Sequence, residues 1–262
     1  MVVTGAVQGV GLATAELLAS RGHRVIVLDL QSAEAAVERL RRAGAEAHGR
    51  SGDVSAEPFV AETARWIEAE YGGADVLVNN AGISMIAPAE ETSGAQWQRV
   101  LDVNLLGPFL LCRYLGTRML AKGEGSIVNV ASVAGLSGIA HRSAYNASKH
   151  GLIGLTRTLA AEWGGRGVRV NAVCPGWIKT EMDAADQGSG AYSDADIENR
   201  VPLARFARPA DVAEAIAFLA DADRSGFING VSLPVDGGWT ADGSWESLRV
   251  KTRSGARREP KR

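Results

Sequence analysis

Cysteine is scarce: the 262 residues hold two, Cys112 and Cys174, both in apolar stretches. That scarcity excludes a disulfide framework, and no cysteine-rich metal site is expected; buried thiols are the plainer reading. Long apolar runs are missing as well. No stretch approaches the roughly twenty residues needed to cross a bilayer, so no membrane partner is expected. No leader-like segment precedes the first apolar strand, and a reducing cytoplasm is the expected location. Internal repeats are absent. So is an excess of either charge, with 28 basic against 30 acidic residues. Against these absences stands a hydrophobic content of 46%, enough to bury a substantial core in one domain.

The even balance of charge hides an uneven distribution. Residues 249–262 carry seven basic side chains and one acid, which leaves the rest of the chain acidic. Such a tail reads as a solvated extension, and an acidic body is a poor surface for nucleic acid, so no nucleic-acid partner is expected. The expected organisation is one domain over 1–240 and a basic extension over 241–262.

Within the domain, apolar segments at about 2–5, 24–29, 46–51, 75–79, 126–131, 168–173 and 230–234 alternate with helical patterns. Alternation of this kind predicts an α/β fold: a doubly wound, seven-stranded, mostly parallel sheet with helices on both faces. Runs such as Val76-Leu77-Val78 and Ile127-Val128 are apolar without a break, as burial on both sides of a sheet requires.

The first strand runs directly into Gly5-Ala6-Val7-Gln8-Gly9-Val10-Gly11. Glycines between a strand and a helix permit tight turns and close approach of a ligand. The helix N-terminus behind them offers free N–H groups and a positive dipole end to a pyrophosphate. The spacing is Gly-xxx-Gly-x-Gly rather than Gly-x-Gly-xx-Gly, and by itself it fits an ordinary glycine-rich turn equally well. Asp29, closing the second strand, tips the balance toward a nucleotide. A carboxylate there accepts hydrogen bonds from ribose hydroxyls and repels a 2′-phosphate, and no Arg or Lys stands in the turn. NAD is therefore expected in preference to NADP.

Tyr145 and Lys149 lie four residues apart and so on one face of a helix, with Ser132 thirteen residues upstream. A free phenol, with a pKa of about 10, is a poor base at neutral pH; a neighbouring ammonium favours its ionised form. Tyrosine and lysine at this spacing are common as structural residues, and the pair gains meaning from the nucleotide turn in the same chain.

With these motifs in order, the sequence resembles the short-chain dehydrogenase/reductase family from Val2 to about Trp239. The resemblance implies a Tyr-xxx-Lys oxidoreductase and assigns further positions. Asp53 and Val54 match the adenine-contacting pair. Asn80, Ala81 and Gly82, after Asn79, match the motif beside the cofactor at the end of the fourth strand. Asn104 matches the asparagine that holds a proton-relay water, and Ser132, Tyr145 and Lys149 match the other catalytic positions. Pro175, Gly176, Ile178 and Thr180 match the segment that holds the nicotinamide carboxamide. Taken singly, several have bland structural readings: a cap for Asp53, a turn for Asn79-Asn80, a strand end for Ser132.

The region between Thr180 and Pro202 resembles the family's substrate lid, and an exposed linker is its simpler reading. It is rich in small and acidic residues and poor in large apolar ones. His141, Arg142 and Trp177 are placed near the catalytic elements as substrate-facing candidates. A small sugar, polyol or hydroxy acid is the expected substrate; a 3-oxoacyl-thioester reductase using NADPH is the alternative, and a non-catalytic nucleotide-binding module the alternative from another class. The apolar helices over Trp97–Leu120 and Tyr145–Trp163 match the family's subunit contacts, so a homotetramer or homodimer is expected. Only Met1-Val2-Val3 precede Thr4, so the first strand is expected either to begin upstream of Met1 or to be short for a central one.

Overall fold

The computed structural model describes residues 1–187, 192–245 and Arg249. Among these, seven strands form one parallel sheet: β1 (Val2–Thr4), β2 (Val25–Asp29), β3 (Ala47–Ser51), β4 (Val76–Asn79), β5 (Gly125–Val130), β6 (Val168–Pro175) and β7 (Ser232–Val235). Their order is β3-β2-β1-β4-β5-β6-β7, so the chain reverses direction across the sheet between β1 and β4. In doubly wound sheets that switch point opens a crevice at the carboxyl ends of the strands. The expected class and strand positions are met within two residues at almost every boundary.

Both faces are covered. On one, Val3, Val27 and Val78 pack against α1 (Gly9–Ser20), α2 (Glu34–Arg42) and, from further along the chain, the helix Pro209–Ala220. On the other, Val2, Ile26, Leu77 and Ile127 meet α3 (Glu57–Tyr71) and the helices that follow. Alternate residues of one strand thus enter opposite cores, which is why the strands read as continuous apolar runs. Each of these side chains, fully withdrawn from water, contributes about 1.5–3 kcal/mol.

The long helix expected over Trp97–Leu120 is divided. A capping box at Ser93 and Gln96 starts α4 (Gly94–Leu101); a five-residue π-turn, Asp102–Leu106, follows; α5 runs from Gly107 to Lys122. Such bulges arise where an added residue widens the backbone spiral, and they cluster at functional sites. This one carries Asn104. Next comes α6 (Ser143–Trp163), which bears Tyr145 and Lys149. The expected lid is helical where described: α7 (Glu181–Gln187) and α8 (Asp194–Arg200), with 188–191 outside the described residues. Beyond them α9 spans Pro209–Ala220. The basic tail, apart from Arg249, also lies outside the described residues.

β1 has three residues, yet its position in the sheet is central. Thr4 compensates. Its hydroxyl accepts the N–H groups of Asn80 (3.0 Å) and Ala81 (2.9 Å), while the Asn80 amide donates to the carbonyls of Thr4 (3.0 Å) and Gly5 (2.9 Å). These four bonds extend the β1–β4 contact past the last ladder pair.

Gly11 is where α1 closes on β1: a Cβ there would lie 2.0 Å from the Gly5 carbonyl oxygen. Gly22, at φ +84, faces open space. Gly11→Ala should therefore lower the thermal midpoint far more than Gly22→Ala, whose cost is the left-handed strain of about 1–2 kcal/mol. Paired melting curves check this.

Candidate active site

One cleft runs along the carboxyl ends of the strands, with a volume of about 410 Å³. Its first half is built by the glycine turn. Gly5 and Gly9 adopt φ +61 and +55, and a Cβ on Gly5 would come within 2.8 Å of the Ala81 backbone. Gln8 precedes α1 without a side-chain cap, so the first N–H groups of the helix are left for a ligand. The Asp29 carboxylate is held by two backbone donors, Val7 N–H at 3.1 Å and Gln31 N–H at 3.0 Å. Asp53 accepts from Ser55 and pairs with Arg99 at 2.8 Å. Burial pushes the Asp53 carboxyl up, but the bonds from Ser55 and Arg99 outweigh it and leave it below the usual range. A turn that only glycine permits, an uncapped helix start and an aspartate held by backbone amides at the end of β2 together fit a dinucleotide.

The second half gathers the catalytic candidates. Ser132 follows β5 by two residues and caps a short turn, its hydroxyl accepting from Ala134 N–H at 3.1 Å. The same hydroxyl is hydrogen-bonded to the Tyr145 phenol. Lys149, 4% exposed, donates to the Val130 carbonyl at 2.8 Å and stands 5.5 Å from the Tyr145 ring centroid. Burial lowers its pKa to about 8, with the Cys174 thiol opposing slightly. Burial likewise lifts the Tyr145 phenol above its ordinary range, and the Ser132 bond and the Arg142 charge pull it only partly back. The tuning cation expected from sequence is Lys149; the cation that acts on the phenol here is Arg142, opposed by the Asp186 carboxylate. The Arg142 guanidinium carbon lies 6.0 Å from the ring centroid.

Asn104 sits on the π-turn with its amide committed. Its oxygen accepts Ile83 N–H at 2.8 Å, and its nitrogen donates to the Ile83 carbonyl at 2.9 Å and to Ser148 at 3.1 Å. Ser148 in turn donates to the Tyr145 carbonyl at 2.7 Å. The side chain thus fastens the loop after β4 to α6 beside Lys149.

The expected positions Gly5, Gln8, Gly9, Val10, Asp29, Asp53, Val54, Asn80, Ala81, Gly82, Pro175, Gly176, Ile178 and Thr180 all line the cleft, as do Ser132, Arg142, Tyr145, Lys149 and Trp177. Four do not. Val7 contributes only its amide to Asp29, Gly11 packs the helix, and Asn104 acts through Ile83. His141 is exposed in a left-handed turn at φ +60, its carbonyl accepting Ala87 N–H, so the turn presents Arg142 instead. Sequence reasoning missed Ile83, Ser84, Arg99 and the lid residues Asp183, Asp186 and Tyr192. The acidic composition of the lid was their one signal, and it did not say which acids turn inward.

A nucleotide-sized cleft at the switch point of a parallel sheet, with a serine, a tyrosine and a lysine at one end, defines a Rossmann-type oxidoreductase. A family model described as enoyl-(acyl carrier protein) reductase matches residues 5–240. The D-threitol dehydrogenase of Mycolicibacterium smegmatis is 42% identical over 91% of each chain. The cis-4-hydroxycyclohexanecarboxylate dehydrogenase of Sinomonas cyclohexanicum is 45% identical over 92% of this chain and 96% of its own. Among solved structures, a candidate NAD(P)-dependent gluconate 5-dehydrogenase from Beutenbergia cavernae, with NADP at low occupancy, superposes with a TM-score of 0.88; it is 41% identical, and the match covers 92% of this chain and 96% of the other. The chain belongs to the short-chain dehydrogenases/reductases and is an oxidoreductase acting on alcohol groups. A preference for NAD over NADP does not follow from these relatives, since a similar structure holds NADP.

Lys149 offers a check of the geometry. Its folded pKa, about 8, lies below the unfolded value of 10.5, so between these limits the unfolded chain binds more protons. Its contribution should therefore rise with pH from about 8 to 10.5, by up to about 1.4 kcal/mol per unit. Chemical denaturation of wild type and Lys149→Met without cofactor should show that slope in their difference; a pH-independent difference would contradict the burial described.

Proposed function

We propose that the protein is an NAD-dependent dehydrogenase that interconverts a secondary alcohol and a ketone on a small polar substrate such as a sugar, polyol or hydroxy acid. The convergence of Ser132, Tyr145 and Lys149 at one end of a dinucleotide-shaped cleft carries this reading. The glycine turn and α1 hold the pyrophosphate, Asp29 the adenosine ribose, and Asp53 with Val54 the adenine. Lys149 holds the nicotinamide ribose, and the segment from Pro175 to Thr180 holds the carboxamide. When bound, the cofactor supplies the hydride acceptor.

The residues do the rest. Ser132 orients the substrate hydroxyl by hydrogen bonding, and Tyr145 takes its proton. The phenol is costly to ionise in its buried setting, so it works as a base only while positive charge stands around it. Lys149 and Arg142 supply part of that charge from α6. Ser148 and Asn104 keep the first turns of α6 in register with the cleft, which fixes where the phenol stands in it.

NAD in preference to NADP rests on Asp29. Both its oxygens are held by amide donors, and the residues that follow are Leu30, Gln31 and Ser32, with no cation for a 2′-phosphate. A homotetramer with twofold axes fits the outward apolar residues Leu106 and Phe109, 40% and 43% exposed on the π-turn and α5. Cys112 and Cys174 are buried free thiols, which suits a reducing compartment such as the cytoplasm.

Tyr145→Phe should reduce turnover of a polyol panel by about 10²–10⁴-fold while NAD binding, followed by fluorescence titration, stays within a few-fold. Near-normal rates would remove the tyrosine from the mechanism. Asp29→Ala should raise the ratio of NADP to NAD efficiency by on the order of tenfold or more; an unchanged ratio would end the case for a carboxylate filter.

A further inference from the structure

The cleft wall holds a charge pair that crosses from the body of the protein to its lid. Arg142, at the start of α6, bonds Asp186 of α7 at 2.8 Å, with the two side chains only 11% and 14% exposed. Ser84, in the loop after β4, joins both: it accepts from Arg142 at 2.7 Å and donates to Asp186 at 3.3 Å. All this stands beside the reacting group, since Arg142 lies against the Tyr145 ring.

Two features of this cluster bear on what can enter. The first is its hydrogen-bonding character. Guanidinium N–H groups donate, the Asp186 carboxylate accepts and the Ser84 hydroxyl does both. A hydroxyl, which also does both, can be received by such a cluster without disturbing it. A carboxylate only accepts; it would have to displace Asp186 from Arg142 or face it charge against charge. The second is the sign of the surrounding charge. Asp183 and Asp186 of the lid line the cleft, against Arg142 and Lys149 from the body. Asp183 is itself held by Tyr192 at 2.9 Å and Lys179 at 3.5 Å. The Arg142 charge is therefore already met from within the protein, by Asp186.

We infer that Asp186 is a specificity-determining residue that reserves Arg142 for uncharged substrates, and that the alcohol oxidised here carries a second, neutral hydroxyl bound by the Arg142–Asp186–Ser84 cluster. This rests on the dehydrogenase reading above and narrows it, setting neutral polyols apart from hydroxy acids.

The test compares threitol with threonate, which share a carbon chain and differ by a carboxylate. Wild type, Asp186→Asn and Asp186→Ala are assayed for kcat/KM with NAD and NADP, and each is melted with and without either compound in the presence of cofactor. Wild type should favour threitol by at least about tenfold, and both variants should shift that ratio toward threonate by about the same factor as Arg142 is released. If Asp186 only closes the lid, both compounds lose efficiency alike and the ratio stays put, which overturns the inference. So does a wild type that prefers threonate. If wild type oxidises no alcohol offered, the dehydrogenase reading fails separately, and the melting shifts decide the remaining question. Protection by threitol and not by threonate then supports the neutral cluster; any other pattern overturns it.

Discussion

The bond pattern between Thr4 and Asn80 is the constraint on which the rest of this protein depends. β1 is only three residues long and lies between β2 and β4, so its backbone ladder alone secures little. The Thr4 hydroxyl and the Asn80 amide extend that pairing beyond the strand ends, and they do so where the glycine turn must meet the loop after β4. One wall of the cofactor cleft is thereby locked to the other. Were the clamp loosened, the uncapped start of α1 and the Ala81-Gly82 backbone would lose their mutual spacing, and a dinucleotide needs both.

A second set of buried polar groups ties the catalytic helix to the same frame. Asn79 donates to Asn129 at 2.8 Å, and Asn129 donates to Thr156 of α6 at 2.9 Å. Asn104 and Ser148 do the same nearer the cleft. Inside a protein such bonds are strong when complete and costly when broken, so they specify one arrangement of β4, β5 and α6 rather than merely adding stability. That rigidity bears on the chemistry. The Tyr145 phenol and the Lys149 ammonium are both pushed toward their neutral forms by burial, and only groups held at fixed distances can push back.

The two halves of the cleft are built on different physics. The nucleotide half uses backbone geometry: positive-φ glycines, free N–H groups and a carboxylate pinned by amides. The substrate half uses side chains from three separate segments, of which the lid supplies the acids. Relatives of this chain have names that span a neutral polyol, a hydroxycyclohexane acid and gluconate, so backbone and catalytic residues alone do not choose among them. Choice then falls to side chains that meet the substrate's periphery, the role inferred for Asp186.

The sequence by itself determined the architecture and the chemistry. Apolar runs at regular intervals demand a doubly covered parallel sheet, because nothing else buries both faces of such strands. The glycine turn, Asp29 and the Tyr145–Lys149 spacing are local patterns whose meaning travels with the chain. What remained hidden was contact between segments far apart in sequence. The π-turn that breaks the helix at Asn104 has no composition signal. That Arg142 lines the cleft and its neighbour His141 does not goes with the left-handed backbone of His141. The pairing of Arg142 with Asp186, across more than forty residues, exists only once α6, α7 and the loop after β4 are brought together. Periodicity reports which face of an element is buried, and tertiary structure alone decides which neighbour it meets.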